Sequence, residues 1–266
     1  MIHLVPLLVA AALVSLQGST AYAQIDGAKI ELDSRLIPNA RQAAVVRPKS
    51  RTVGKYVKIS VPLPETTRYV PGTALVLQCE VMGNPAPYAE WTKNGVPVSN
   101  YAEETNEIFP INQLSPAFLT TKFVVRSASN GDVFTCVGIS GLREVSSSTT
   151  IYVEGDGSDT LINQMMPSKP IITASYSDLL QTLGSSATLT CRVYSPTETQ
   201  VMWMDNKNNI VFGNDRLRVL PSGDLHITAI IWEDMGIWTC SVKNAFGRDV
   251  AETFVYPIAQ RRMTKE

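Results

Sequence analysis

Short runs with apolar residues at every second position recur along the chain. Leu75, Leu77, Cys79 and Val81 share one phase of the stretch 75–81, while Gln78 and Glu80 fall on the other. Ala187, Leu189, Cys191 and Val193 repeat the pattern, and Leu225 and Ile227 flank His226. A period of two puts alternate side chains on opposite faces, so each run is predicted as a short, half-buried strand. Turn formers punctuate these runs. Asn94-Gly95 follows Trp91, and this dipeptide is the strongest short hairpin signal. Asp205-Asn206-Lys207-Asn208-Asn209 follows Trp203 and is equally rich in turn residues.

The cysteines order these strands. Cys79 and Cys136 are 57 residues apart, and Cys191 and Cys240 are 49 apart. Twelve residues after each first cysteine stands a tryptophan, Trp91 and Trp203. Cys…Trp…Cys, occurring twice, marks the immunoglobulin sandwich: a disulfide joins strands B and F of opposing sheets, and the tryptophan of strand C covers it. The expected bridges are therefore Cys79–Cys136 and Cys191–Cys240. Close cysteine pairs of the zinc-binding kind are absent. The fold class is all-β, with two tandem immunoglobulin-like sandwiches. The first is expected over 59–153 and the second over 169–257, with a linker at 154–168 and a tail at 258–266. Glu154 to Asp159 is a linker by composition. Its second half is apolar (Leu161, Ile162, Met165, Met166), so Met165 and Met166 either plug the gap between domains or lie against a partner.

Before the first domain come two segments of different character. Leu4 to Leu16 is an apolar run, and Ala21-Tyr22-Ala23 after it fits a secretory cleavage site. Residues 1–23 are expected to be a signal peptide, which places the mature chain outside the cell. Residues 24–58 hold eight basic side chains against three acids. This basic arm is either a solvated terminus or a contact for a proteoglycan or acidic lipid surface. No second apolar stretch reaches membrane length, so no membrane span is expected. The formal net charge of the 266 residues is −1, which argues against nucleic acid as a partner.

Further motifs carry a resemblance. Leu225-His226-Ile227, Asp234-Met235-Gly236-Ile237-Trp238-Thr239-Cys240 and Asn244-Ala245-Phe246-Gly247 resemble the I-set pattern of cell-surface immunoglobulin domains. Ser222-Gly223-Asp224-Leu225, Trp232-Glu233-Asp234-Met235-Gly236 and Ala251-Glu252-Thr253-Phe254-Val255-Tyr256-Pro257 are more specific. Together they resemble the family of insect imaginal morphogenesis protein late two and the nematode secreted two-immunoglobulin (zwei-Ig) proteins. The resemblance is strong over about 215–257 and looser in the first domain. It implies a secreted binding protein that takes an insulin-like peptide hormone and limits its signalling. The nematode members imply an alternative, a neuronal factor that maintains axon position through a cell-surface receptor or adhesion protein. Two positions depart from the I-set pattern. The tyrosine normally found two residues before the second cysteine is replaced by Phe134 and Trp238, so both tyrosine corners are expected to lack their usual hydrogen bond.

Chemistry is poorly represented. The only histidine after residue 23 is His226, expected to face solvent from its strand, and no base, nucleophile and orienting group assemble around it. No enzyme activity, no catalytic residue, no metal site and no cofactor are expected. Trp91, Trp203, Phe134 and Trp238 are expected core residues. The binding candidates are Trp232, on the outer side of the turn after strand E, and Phe246, in the turn between strands F and G. Phe109 joins them, within an apolar stretch from Tyr101 to Phe118 that reads as a long loop or an edge strand.

Overall fold

The alternation seen in the sequence becomes a ladder of short strands in the computed structural model. The structure describes residues 54–100, 115–155 and 168–259, all within one compact unit spanning 50–266. Domain one contributes β1 (Tyr56–Val61), β2 (Thr66–Tyr69), β3 (Leu75–Asn84), β4 (Tyr88–Lys93), β5 (Val96–Val98), β6 (Ala117–Val125), β7 (Val133–Ser140) and β8 (Arg143–Val153). One sheet carries β1-β3-β6, and the other carries β2-β8-β7-β4-β5. Leu77, Cys79 and Val81 point into the space between them, while Val76 and Gln78 face out. Cys79 on β3 is bonded to Cys136 on β7, across the two sheets. Trp91 covers the bridge region, stacks at 5.6 Å on Phe123, and donates its indole N–H to Thr121 Oγ1 at 2.9 Å. Asn94 (φ 52°) and Gly95 (φ 78°) make the two-residue turn joining β4 to β5, both in the left-handed region that such hairpins require.

Domain two contributes β9 (Ile171–Thr182), β10 (Ala187–Leu189), β11 (Cys191–Tyr194), β12 (Gln200–Met204), β13 (Leu217–Val219), β14 (Leu225–Ile227), β15 (Gly236–Asn244) and β16 (Gly247–Ile258). A 3-10 turn at Trp232–Asp234 precedes β15, and no α-helix occurs among the described residues. β10-β14-β13 form one sheet, and β9-β16-β15-β12 form the other. β11 pairs with β9 beside this second sheet, and its Cys191 is bonded to Cys240 on β15. Trp203 is 1% exposed and donates to the Gly223 carbonyl at 2.8 Å. Buried Asp234 holds the Arg216 guanidinium with both carboxylate oxygens, at 2.7 and 2.8 Å.

The two sheets facing the same way in the two domains are one sheet. β6 of domain one pairs antiparallel with β9 of domain two, from Ala117↔Leu179 to Thr121↔Ala174, with a bulge at Phe118/Leu119. The result is the continuous order β1-β3-β6-β9-β16-β15-β12. Among the described residues no strand of domain one takes the edge of β6 that β9 occupies. An unpaired edge is a template for another strand, and here the neighbouring domain supplies it. Farther along β6, where β9 has turned away, Asn100 pairs its side chain with the N–H and carbonyl of Val124 (2.6 and 3.1 Å). Two side-chain links hold the junction. Tyr176 donates its hydroxyl to the Pro87 carbonyl at 2.9 Å. Arg126 lies 5.2 Å from the Tyr194 ring centroid and donates to its hydroxyl at 3.0 Å.

The corner residues differ from expectation at one of the two positions. Trp238 does make a corner bond: its indole N–H donates to the Asp234 carbonyl four residues upstream, at 2.9 Å. A corner needs only a buried donor aimed back at the chain, and indole provides one. Phe134 has no such group and packs at 5.6 Å on Phe123 instead. The buried hydroxyl of domain one comes from Tyr69 on β2, which donates to the Arg126 carbonyl at 3.2 Å. Near Phe134, Asp132 accepts from Lys93 (2.8 Å), the Asn94 amide (2.8 Å) and the Ser129 N–H (2.7 Å), tying the two hairpins together.

Candidate functional site

Cross-strand register aligns one residue from each of six strands on the outer face of the joint sheet. The row runs Lys58↔Met82↔Phe118↔Asp178↔Phe254↔Ile237 and crosses from domain one into domain two between Phe118 and Asp178. Five strand spacings make it about 24 Å long. Phe118 (36%), Phe254 (39%) and Ile237 (50%) are exposed although apolar. Beside the row, Tyr256 pairs with Leu180, and Val250 and Met202 each pair with Ser241, extending the apolar surface over β9, β16, β15 and β12. Small residues Thr239 and Ser241 sit low between these larger neighbours. Exposed Glu252, opposite Thr239, stands between Phe254 and Val250 on this face, and exposed apolar surface set among a few charged groups is typical of an interaction site.

The residues nominated from the sequence fall into three sets. Phe134, Trp238, Trp203 and Trp91 are buried at 1%, 1%, 1% and 6% exposure and belong to the two cores with the four cysteines. Trp232 (50% exposed) and Phe246 (52% exposed) are on the surface. Trp232 stands in the 3-10 turn that feeds β15 just before Ile237, at one end of the β15–β16 hairpin. Phe246 is in the turn at the other end, where Asn244 pairs with Gly247. The length of β15 separates them by about 27 Å, so they do not form one site. Phe109, Met165 and Met166 lie outside the described residues. Phe118, the end of the apolar stretch read as a loop or edge strand, lies within β6.

The row was missed because its members sit on the phase of each strand that should be polar. One signal was available. Phe254-Val255-Tyr256 and Ile237-Trp238 are apolar on both phases, and an unbroken apolar run marks a strand with partners on both faces.

His226 is half-buried rather than solvent-exposed, because Thr188 from the adjacent strand covers it and shares a 3.1 Å hydrogen bond with its Nδ1. No group of three or more metal-ligating side chains occurs among the described residues. The most perturbed acids are structural. Burial pushes Asp224 above the ordinary carboxylate range, against the opposing pull of Arg192 and the Cys191 N–H. No helix among the described residues is long and apolar enough to cross a membrane.

Comparison with known proteins agrees with the architecture. Immunoglobulin domain family models match residues 57–153 and 169–244. Zwei Ig domain protein zig-4 of Caenorhabditis elegans is 31% identical, over 77% of this chain and 81% of its own. Neural/ectodermal development factor IMP-L2 of Drosophila melanogaster is 28% identical, over 89% of this chain and 91% of its own. The crystal structure of neural ectodermal development factor IMP-L2 superposes with a TM-score of 0.65 at 29% identity, covering 76% of this chain and 95% of that one.

Proposed function

Because the chain belongs to the family of two-immunoglobulin proteins that includes zig-4 and IMP-L2, a family of binding proteins rather than enzymes, we propose that it is a secreted binder of an extracellular peptide hormone of the insulin-like class. The hormone class comes from the family resemblance carried by residues 215–257. Secretion comes from the signal-peptide pattern of residues 1–23. The observation that carries the binding mode is the outer-face row that crosses from domain one to domain two, with exposed Phe118, Phe254 and Ile237 on either side of Asp178. A hormone that hides an apolar helical face from water would be covered by such a sheet, and its free concentration would fall by mass action alone.

The test is direct binding of disulfide-intact 24–266 to a panel of insulin-like peptides. The expected result is saturable binding to at least one of them. Phe118→Arg in domain one and Ile237→Arg in domain two should each weaken it about tenfold or more, since a central anchor carries most of an interface. No binding to any peptide would overturn the hormone assignment.

An alternative partner is a cell-surface protein of the nervous system. It is favoured by the word neural in the name of the Drosophila relative and by a more distant likeness to Neural cell adhesion molecule L1 of Takifugu rubripes (24% identical over 68% of this chain and 13% of that one). Mass in solution separates the two. A monomer that gains mass only with hormone supports sequestration, and a concentration-dependent dimer supports adhesion.

A further inference from the structure

At the centre of the row that crosses both domains stands a carboxylate. Asp178 is half-buried, with Phe118 of β6 opposite it on one side and Phe254 of β16 on the other. Ser177 Oγ donates to its Oδ2 at 2.9 Å. Among the described residues it takes part in no ion pair. The one cation of the row, Lys58, is three strands away, about 14 Å at the spacing of a sheet.

Any partner that seats on Phe118, Phe254 and Ile237 also removes water from Asp178. A carboxylate dried without a counter-charge is costly, so an all-apolar partner is disfavoured although it would suit the flanking rings. An acidic partner is disfavoured further. A lysine or arginine set among apolar side chains meets both demands. Its charge pairs with Asp178, and its alkyl stem lies between the two aromatic rings, whose faces also attract a cation. Rejection of the wrong partner and attraction of the right one then come from the same group.

We propose that Asp178 determines the specificity of this face and selects a partner segment presenting one cation within an apolar surface. The inference rests on the joint sheet being the binding surface, and it does not depend on which hormone or receptor carries that segment.

The experiment uses 24–266 and two short synthetic amphipathic helical peptides that differ at one position in the centre of the apolar face, lysine in one and norleucine in the other. Binding is followed by NMR through the Ile237 side chain. The lysine peptide is expected to bind about tenfold more tightly at low salt. That preference should vanish in Asp178→Asn and shrink at high salt. Equal affinity for the two peptides, or a preference that survives Asp178→Asn, would overturn the proposal, as would no response of Ile237 to either peptide. If the lysine preference holds while the hormone panel shows nothing, the assignment of Asp178 stands and only the hormone class falls.

Discussion

Tyr176, on the first strand of domain two, donates its hydroxyl to the backbone carbonyl of Pro87 in domain one, 2.9 Å away and out of reach of water. The contact binds the domains through a group that cannot afford to ionise. Burial pushes its phenol up to about 12, from an ordinary value of 10.0. Tyr176→Phe should lower stability by about 1–3 kcal/mol, the cost of leaving a buried carbonyl unpaired. Urea unfolding followed by tryptophan fluorescence measures it. The same residue sets an alkaline limit. The unfolded chain releases this proton near pH 10 while the folded chain holds it to about 12, so stability falls as pH rises through that window. The Tyr176→Phe variant should lack that part of the decline.

Asp132 works in the opposite direction. Burial alone would raise its carboxyl, but the Lys93 ammonium, the Ser129 N–H and the Asn94 amide outweigh it and hold the group at about 2, below the ordinary 3.8. Its contribution is present above about pH 4 and is lost as pH falls through about 2. The stability gap between wild type and Asp132→Asn should therefore be widest near neutrality and narrow over that interval, read by thermal unfolding at stepped pH.

Gly138 on β7 is pressed against Val81 on the facing sheet. An added Cβ would stand 2.6 Å from Val81 Cγ1, closer than such atoms approach. Gly138→Ala should cost about 1–3 kcal/mol through overpacking, and Val81→Ala in the same chain should relieve part of it. A double-mutant cycle in urea gives the coupling. Simple addition of the two losses would refute the contact.

Trp238 closes the corner of domain two with its indole N–H on the Asp234 carbonyl. Trp238→Phe keeps an aromatic ring but deletes that donor and leaves a void, and should cost about 2–4 kcal/mol. The Phe134 position offers the control. Phe134→Leu removes packing and the Lys93 contact with the ring face, 5.7 Å from its centroid, but no hydrogen bond. Hydrogen exchange at the β15 amides should rise in Trp238→Phe and stay unchanged in Phe134→Leu.

Much of each sandwich was legible because it is encoded locally. Cys79, Trp91 and Cys136 stand at the spacing of one core, Cys191, Trp203 and Cys240 at that of another, and Asn94-Gly95 has a backbone preference that only a tight hairpin satisfies. The pairing of β6 with β9 was not legible. Strand alternation states which face of a strand is buried, but it carries no information about which neighbour lies along the edge. Leu119 and Tyr176 are both buried, and their register with one another depends on a bulge that no residue type announces. The binding row followed from that pairing, so Phe118 and Asp178 could be recognised as neighbours only once the strands were joined. Trp232 and Phe246 were found at the surface, where large aromatic residues stand out in a sequence, and the geometry leaves them at opposite ends of one hairpin.

Immunoglobulin domains are ordinarily interchangeable beads, copied and reshuffled between genes without harm to their neighbours. The ladder between β6 and β9 withdraws this chain from that traffic. Loss or duplication of one domain would bare a strand edge evolved to be covered, and a foreign domain spliced beside it would bring the wrong register to that edge. The heritable unit is the pair, and changes along β6 and β9 should be accepted only in step with one another.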